Sequence, residues 1–177
     1  MANNSYLYAN ATDDPEAPAE RLLLVRQSSN EIPVLWYGLF DKSGVCSRSY
    51  LFADGGSVSV PGLIAPTPTA LSNFRRRAPA LRSWLPPELH ACLDEWDARM
   101  KSVAQPYIQL DAADAILLLG ADDLTAAHVE CIEALDTGEP AALSALFDRV
   151  ALDFDPRQGR VAGFDPGGVK YSLMGYS

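Results

Sequence analysis

The spacing of apolar and polar positions predicts alternating short strands and helices. Strand formers cluster first at Ser5, Tyr6, Leu7, Tyr8 and Ala9, giving an opening strand. Residues 10–20 are polar and carry Asp13, Asp14, Pro15 and Pro18, the composition of a loop. The run Arg21, Leu22, Leu23, Leu24, Val25, Arg26 fits either a buried strand or a short helix, because periodicity cannot separate the two over so few residues. Pro33 suits the first position of a short helix over 34–40. Asp41, Lys42, Ser43 and Gly44 have turn chemistry, and a strand is expected at 49–52. Residues 54–68 hold three Gly and three Pro, which reads as a mobile loop.

The next segments have helical spacing. Thr67 reads as an N-cap with Pro68 behind it, followed by Leu71, Phe74, Ala78 and Leu81, with Pro79 a kink or break. Pro86 and Pro87 open a stronger helix whose stripe is Leu89, Cys92, Leu93, Trp96, Met100 and Val103. Its opposite face carries Asp94, Glu95, Asp97 and Lys101. Residues 107–110 read as a strand, and 111–119 as a short helix closed by Gly120. Asp122 caps a helix with the stripe Leu124, Ala127, His128, Cys131, Ile132 and Leu135, ending at Gly138. Pro140 starts another, with Leu143, Leu146, Phe147 and Val150 inward. Phe154-Asp155-Pro156 recurs as Phe164-Asp165-Pro166, and this turn chemistry predicts antiparallel strands at 160–164 and 169–174. The sum, over residues 1–177, is a single α+β domain: an antiparallel sheet with strands from both terminal regions packed against a helical middle.

Composition changes this picture little. Among 177 residues, 48% are hydrophobic and 21% charged, which argues against disorder. No apolar run approaches the roughly 18 residues of a membrane span, so no membrane partner is expected. The opening residues lack the basic and apolar regions of a secretory signal. Cys46, Cys92 and Cys131 are three and widely spaced, which suggests reduced thiols and a cytoplasmic location.

Charge changes it more. Lys and Arg number 14 against 23 Asp and Glu, a formal net charge of −9. Residues 1–88 carry eight charges of each sign, whereas 89–177 carry six basic and fifteen acidic ones. The whole excess therefore belongs to the second half. Such a balance disfavours nucleic acid and suits a basic protein partner.

The motifs that carry chemistry are thin. His128 and Cys131 share a helix face as a metal pair would, yet both fall on an apolar stripe, and no paired Cys-x-x-Cys units complete a site. There is no Gly-x-Ser-x-Gly elbow, and Gly55-Gly56 lacks the Lys and spacing of a phosphate loop. Asp153-Phe154-Asp155 lacks the later ligands of a calcium loop. Arg75, Arg76 and Arg77, with Arg82, form the concentrated positive patch. Three successive helical residues fan over about 200°, so they cannot all clamp one phosphate and instead suit pairing with the acidic half. No catalytic residue, cofactor or metal is expected.

The opening Met1-Ala2-Asn3-Asn4-Ser5-Tyr6-Leu7-Tyr8 resembles that of a bacterial family beginning Met-Ala-Asn-Arg-Ser-Tyr-Leu-Tyr, with Asn4 in place of its Arg. That family resembles immunity proteins encoded beside polymorphic or type VI secreted toxins. The resemblance implies an inhibitor, not an enzyme, that occludes a basic cognate toxin. An acidic face on Asp94, Asp97, Asp123, Glu130 and Glu133 would steer that partner. The alternative is a small-molecule-binding or enzymatic domain with residues 54–68 as a lid. A homo-oligomer anchored by Tyr8, Trp36, Tyr37, Trp84 and Tyr176 is a third reading, set against ordinary core packing of the same aromatics.

Overall fold

A computed structural model describes residues 4–29, 32–51, 55–113, 121–143, 145, 154–155, 160–161 and 173–175. Five strands pair antiparallel in the order β2-β1-β5-β4-β3. They are β1 (Asn4–Asn10), β2 (Leu22–Ser29), β3 (Val45–Leu51), β4 (Ser57–Pro66) and β5 (Tyr107–Asp111). The ambiguous leucine run is thus a strand. It is fixed by its ladder to β1, which places Leu7 opposite Arg26 and Ala9 opposite Leu23, with an irregularity between Leu7 and Tyr8. Across the centre, Leu7 faces Leu110 and Leu110 faces Leu63, while Ala9 faces Ile108 and Ile108 faces Ala65. These six side chains share one face of the sheet and are buried. The period-two alternation of β1 is what puts Leu7 and Ala9 there and leaves Tyr6 and Tyr8 on the other side.

From Ser57 onward the segment expected as a loop is regular structure. β4 runs through Ser57–Pro66, and Thr67 already belongs to the next helix, so the lid reading of this segment fails. The strand tolerates its Pro and Gly for local reasons. Pro61 lies in the stretch of β4 whose ladder to β3 continues beyond the ladder to β5, which covers only Leu63 to Pro66. At Gly62 a Cβ atom would stand 2.7 Å from the carbonyl oxygen of Leu110, so glycine permits the close approach of β4 to β5.

The helices are α1 (Val34–Tyr37), α2 (Thr67–Trp84), α3 (His90–Lys101) and α4 (Ala121–Thr137). Pro33 precedes α1 in extended conformation rather than occupying its first turn. Thr67 is inside α2, and its hydroxyl donates to the Gln105 carbonyl at 2.7 Å instead of capping. α2 continues through Pro79 unbroken, because buried Phe74 and Arg77 before it and Leu81 and Trp84 after it hold both halves against the core. α3 buries Cys92, Leu93, Trp96 and Met100, and α4 buries Leu124, His128, Cys131, Ile132 and Leu135, as their periodicity predicts. Gly138 follows α4 at a φ of 64°, the left-handed stop expected there.

After Gly138 a helical segment begins at 140 and buries Leu143. β6 (Phe154–Asp155) pairs antiparallel with β7 (Arg160–Val161) in a ladder of its own, apart from the five-stranded sheet. The expected strand at 169–174 is corrected at its end, where Leu173 and Met174 are helical. The helix expected at 111–119 falls largely outside the described residues, and Asp111 itself ends β5. Trp36 Nε1 donates to the Met174 carbonyl at 2.9 Å, tying this end to α1. Trp36, Tyr37 and Trp84 are core residues, not interface anchors, while Tyr176 lies outside the described residues.

A buried guanidinium joins three of the helices. Arg77 of α2 donates from Nη1 to the carbonyls of Tyr37, Gly38 and Phe40, and from Nε and Nη2 to Asp136 of α4 at 2.9 and 2.7 Å. Asp136→Ala is expected to cost about 3–5 kcal/mol in urea unfolding, since it strands a buried cation. Gly62→Ala is expected to cost about 1–3 kcal/mol through the clash with Leu110. Unchanged midpoints in both would contradict the packing described.

Candidate functional site

The acidic positions are divided between two helices. Asp94 and Asp97 lie on α3, and Glu130 and Glu133 on α4; α2 packs against both helices. Asp97 binds Arg75 of α2 at 2.7 Å and Lys101 at 2.6 Å, and the Arg75 contact is the main cause of its lowered pKa. Asp94 pairs with Arg82 of α2, and Glu133 with Lys42 at 2.8 Å. The side chain of Asp123 lies outside the described residues. The arginine run fans as its helical pitch requires: Arg75 reaches α3, whereas Arg76 and Arg77 both reach Asp136 on α4. Much of the acidic excess is therefore answered within the chain. Asp94 and Glu133 still keep half or more of their side chains in solvent.

The histidines serve the core. His128 is fully buried, and its Nδ1 lies 3.1 Å from the Tyr37 hydroxyl. Among the described residues its Nε2 has no well-aligned hydrogen-bond partner, and burial pulls its pKa down to about 4, which the Pro61 backbone offsets only in part. Cys131 sits beside the same Tyr37 hydroxyl, and burial pushes its thiol up to about 12. His90 meets the Leu85 carbonyl at 3.0 Å. Among the described residues no group of three or more His, Cys, Asp or Glu is placed to hold a metal ion. No helix of the described residues is long and apolar enough to cross a membrane.

The side of the sheet away from Leu7 and Leu110 carries a cluster that sequence spacing did not reveal. Registers put Tyr6 opposite Asp111 and Tyr8 opposite Gln109, with Cys46, Arg48 and Tyr50 on the same face of β3. The Tyr50 hydroxyl donates to Asp111 Oδ2, and Arg48 lies 3.8 Å from the same oxygen. The Arg48 guanidinium also covers the Tyr50 ring at 5.6 Å and donates to the Ala17 carbonyl. Tyr6 and Tyr8 stack at 5.7 Å. Residues 11–17 fold over the adjoining part of this face: Asn10 bonds Gln109 and the Asp14 carbonyl, and Gln109 bonds the Pro15 carbonyl. Glu16 accepts the Ser49 amide.

Electrostatically the cluster is quiet. Burial and then Asp111 push Tyr8 up to about 12 and raise Tyr50 further, and Cys46 rises to about 11 for the same two reasons. These groups stay protonated at neutral pH, while Arg48 and Asp111 offset each other. Leu24, opposite Tyr8 on edge strand β2, adds an apolar side chain that is half exposed. The result is a neutral surface of three half-buried tyrosines with an apolar border. The sequence signal was present only as alternate residues, Tyr6 with Tyr8 and Arg48 with Tyr50; their meeting needed the strand order.

Two pH dependences follow. His128 is neutral in the fold and its pKa lies below the unfolded value of 6.5, so stability is complete above that value. It falls as pH drops toward about 4, by on the order of 3 kcal/mol, and His128→Gln should remove this slope in urea unfolding. Tyr8 behaves oppositely: its contribution is full below 10 and is lost as pH rises through about 12, measurable by tyrosinate absorbance. Asp111→Asn should lower that titration.

Compared with family models, curated proteins and solved structures, the chain matches none.

Proposed function

We propose that this chain is a binding protein of the immunity type, which neutralises a basic cognate toxin by covering it. The observation that carries the reading is the tyrosine face. Tyr6, Tyr8 and Tyr50 offer wide, rigid contact area with a hydroxyl handle, the side-chain type that anchors protein interfaces. The pKa values of Tyr8 and Cys46 are held well above neutral pH, so the face suits recognition rather than proton transfer. The acidic positions supply the second half of the proposal. Asp94, Asp97, Glu130 and Glu133, with Asp123 on the same helix as the last two, give the helical side negative charge that accelerates encounter with a basic partner. Pairing within the chain leaves them a steering role, while the neutral face makes the close contact.

The two contributions separate in kinetics. The partner to test is the product of the neighbouring gene with a C-terminal toxin domain, co-expressed and measured by surface plasmon resonance. Tyr6→Ala with Tyr8→Ala is expected to raise the dissociation rate by about tenfold or more. Charge reversal at the five acidic positions is expected to slow association and flatten its salt dependence, with little change in dissociation. If neither set alters binding or protection, this assignment of the surface fails.

A further inference from the structure

Arg26 is a buried cation that its surroundings do not satisfy. It stands on edge strand β2 opposite Leu7, so its side chain enters the helical side of the sheet. That side chain is only 9% exposed, and its Nε has no hydrogen-bond partner among the described residues. The carboxylate it faces, Glu95 of α3, stays 4.0 Å from Nη2, beyond hydrogen-bond reach. Burial, and then the like charge of Arg99 one turn further along α3, lower the Arg26 pKa, and Glu95 offsets this only in part. Trp96, between Glu95 and Arg99, adds a buried indole Nε1 without an acceptor among the described residues.

Arg77 shows what full satisfaction looks like in the same protein. It is buried more deeply still, yet three carbonyls and both contacts to Asp136 occupy its donors. A desolvated guanidinium with an unpaired N–H and a second cation beside it calls for an acceptor from outside the chain. The Nε and Nη2 edge of Arg26 has the fork geometry that takes two oxygens of one group. The half-exposed Glu95 side chain marks where solvent reaches this position.

We propose that Arg26 and Arg99 form a binding site for an oxyanion, a phosphate or carboxylate group, between the β2 edge and α3. This site is independent of the tyrosine face and of the toxin reading.

Thermal melting of the full chain tests it, with sodium phosphate, sodium acetate and sodium chloride compared at matched ionic strength. Isothermal titration with inorganic phosphate and with acetate gives the affinities. Phosphate at about ten times its Kd is expected to raise Tm by about 3–6 °C over chloride in the wild type and in the exposed control Arg21→Met. Arg26→Met should abolish that response, and Arg99→Met should weaken binding by about tenfold. A response to acetate alone identifies a carboxylate as the ligand group and supports the same site. The proposal is overturned if neither anion acts on the wild type, or if Arg99→Met binds as the wild type does. Because Arg99 is only partly buried, that second variant decides the matter even where Arg26→Met does not fold.

Discussion

The structure turns on one buried guanidinium. Arg77 enters the core from α2 and gathers three carbonyls at the end of α1 together with a carboxylate on α4. The Tyr37 carbonyl accepts the Phe40 amide, but the chain end of so short a helix lacks a full set of helical partners, and a helix as short as α1 cannot hold itself. Arg77 supplies those partners, and Asp136 supplies the countercharge that lets a cation be buried. The same arrangement fixes α2 relative to α4 and places Tyr37 where it meets His128. A lysine cannot replace it, since an ammonium lacks the planar spread of donors that reaches both groups.

The charge distribution takes its meaning from this packing. By composition the second half of the chain is acidic and the first half neutral. In the fold, arginines of α2 lie against carboxylates of α3 and α4, so a good part of the asymmetry becomes contact between halves. Exposed pairs of this kind contribute little stability each. The surface proposed for contact lies elsewhere, on the sheet, where Arg48 and Asp111 offset each other and Tyr8 and Tyr50 remain protonated at neutral pH.

Helices were more legible than strands. The stripes of α3 and α4 follow a period of 3.6 because each buries one side against the same core, and both appear where the pattern places them. The fan of Arg75, Arg76 and Arg77 was equally readable, being a consequence of helical pitch alone. β4 was not readable. Ser57, Pro61, Gly62 and Pro66 have loop chemistry, and only the partners on either side make them a strand. Local composition cannot show that Gly62 is needed for close approach to Leu110. The satisfied state of Arg77 and the unsatisfied state of Arg26 were likewise invisible, since both residues read as ordinary cations in polar or mixed runs.

Taken alone, the sequence determined the class of fold, the helical faces, the seat of the negative charge and the core role of His128 and Cys131. These properties depend on residues within a few turns of one another. Tertiary structure decided the strand order β2-β1-β5-β4-β3, and with it the meeting of Tyr50, Arg48 and Asp111. Tyr50 and Asp111 are 61 residues apart in the chain. The alternation within each strand says that a side chain faces up or down, but not which strand lies beside it. Register across β3, β4, β5 and β1 is set by burial of Leu63, Leu110 and Leu7 on the opposite face, so the surface proposed for binding is positioned by the core beneath it.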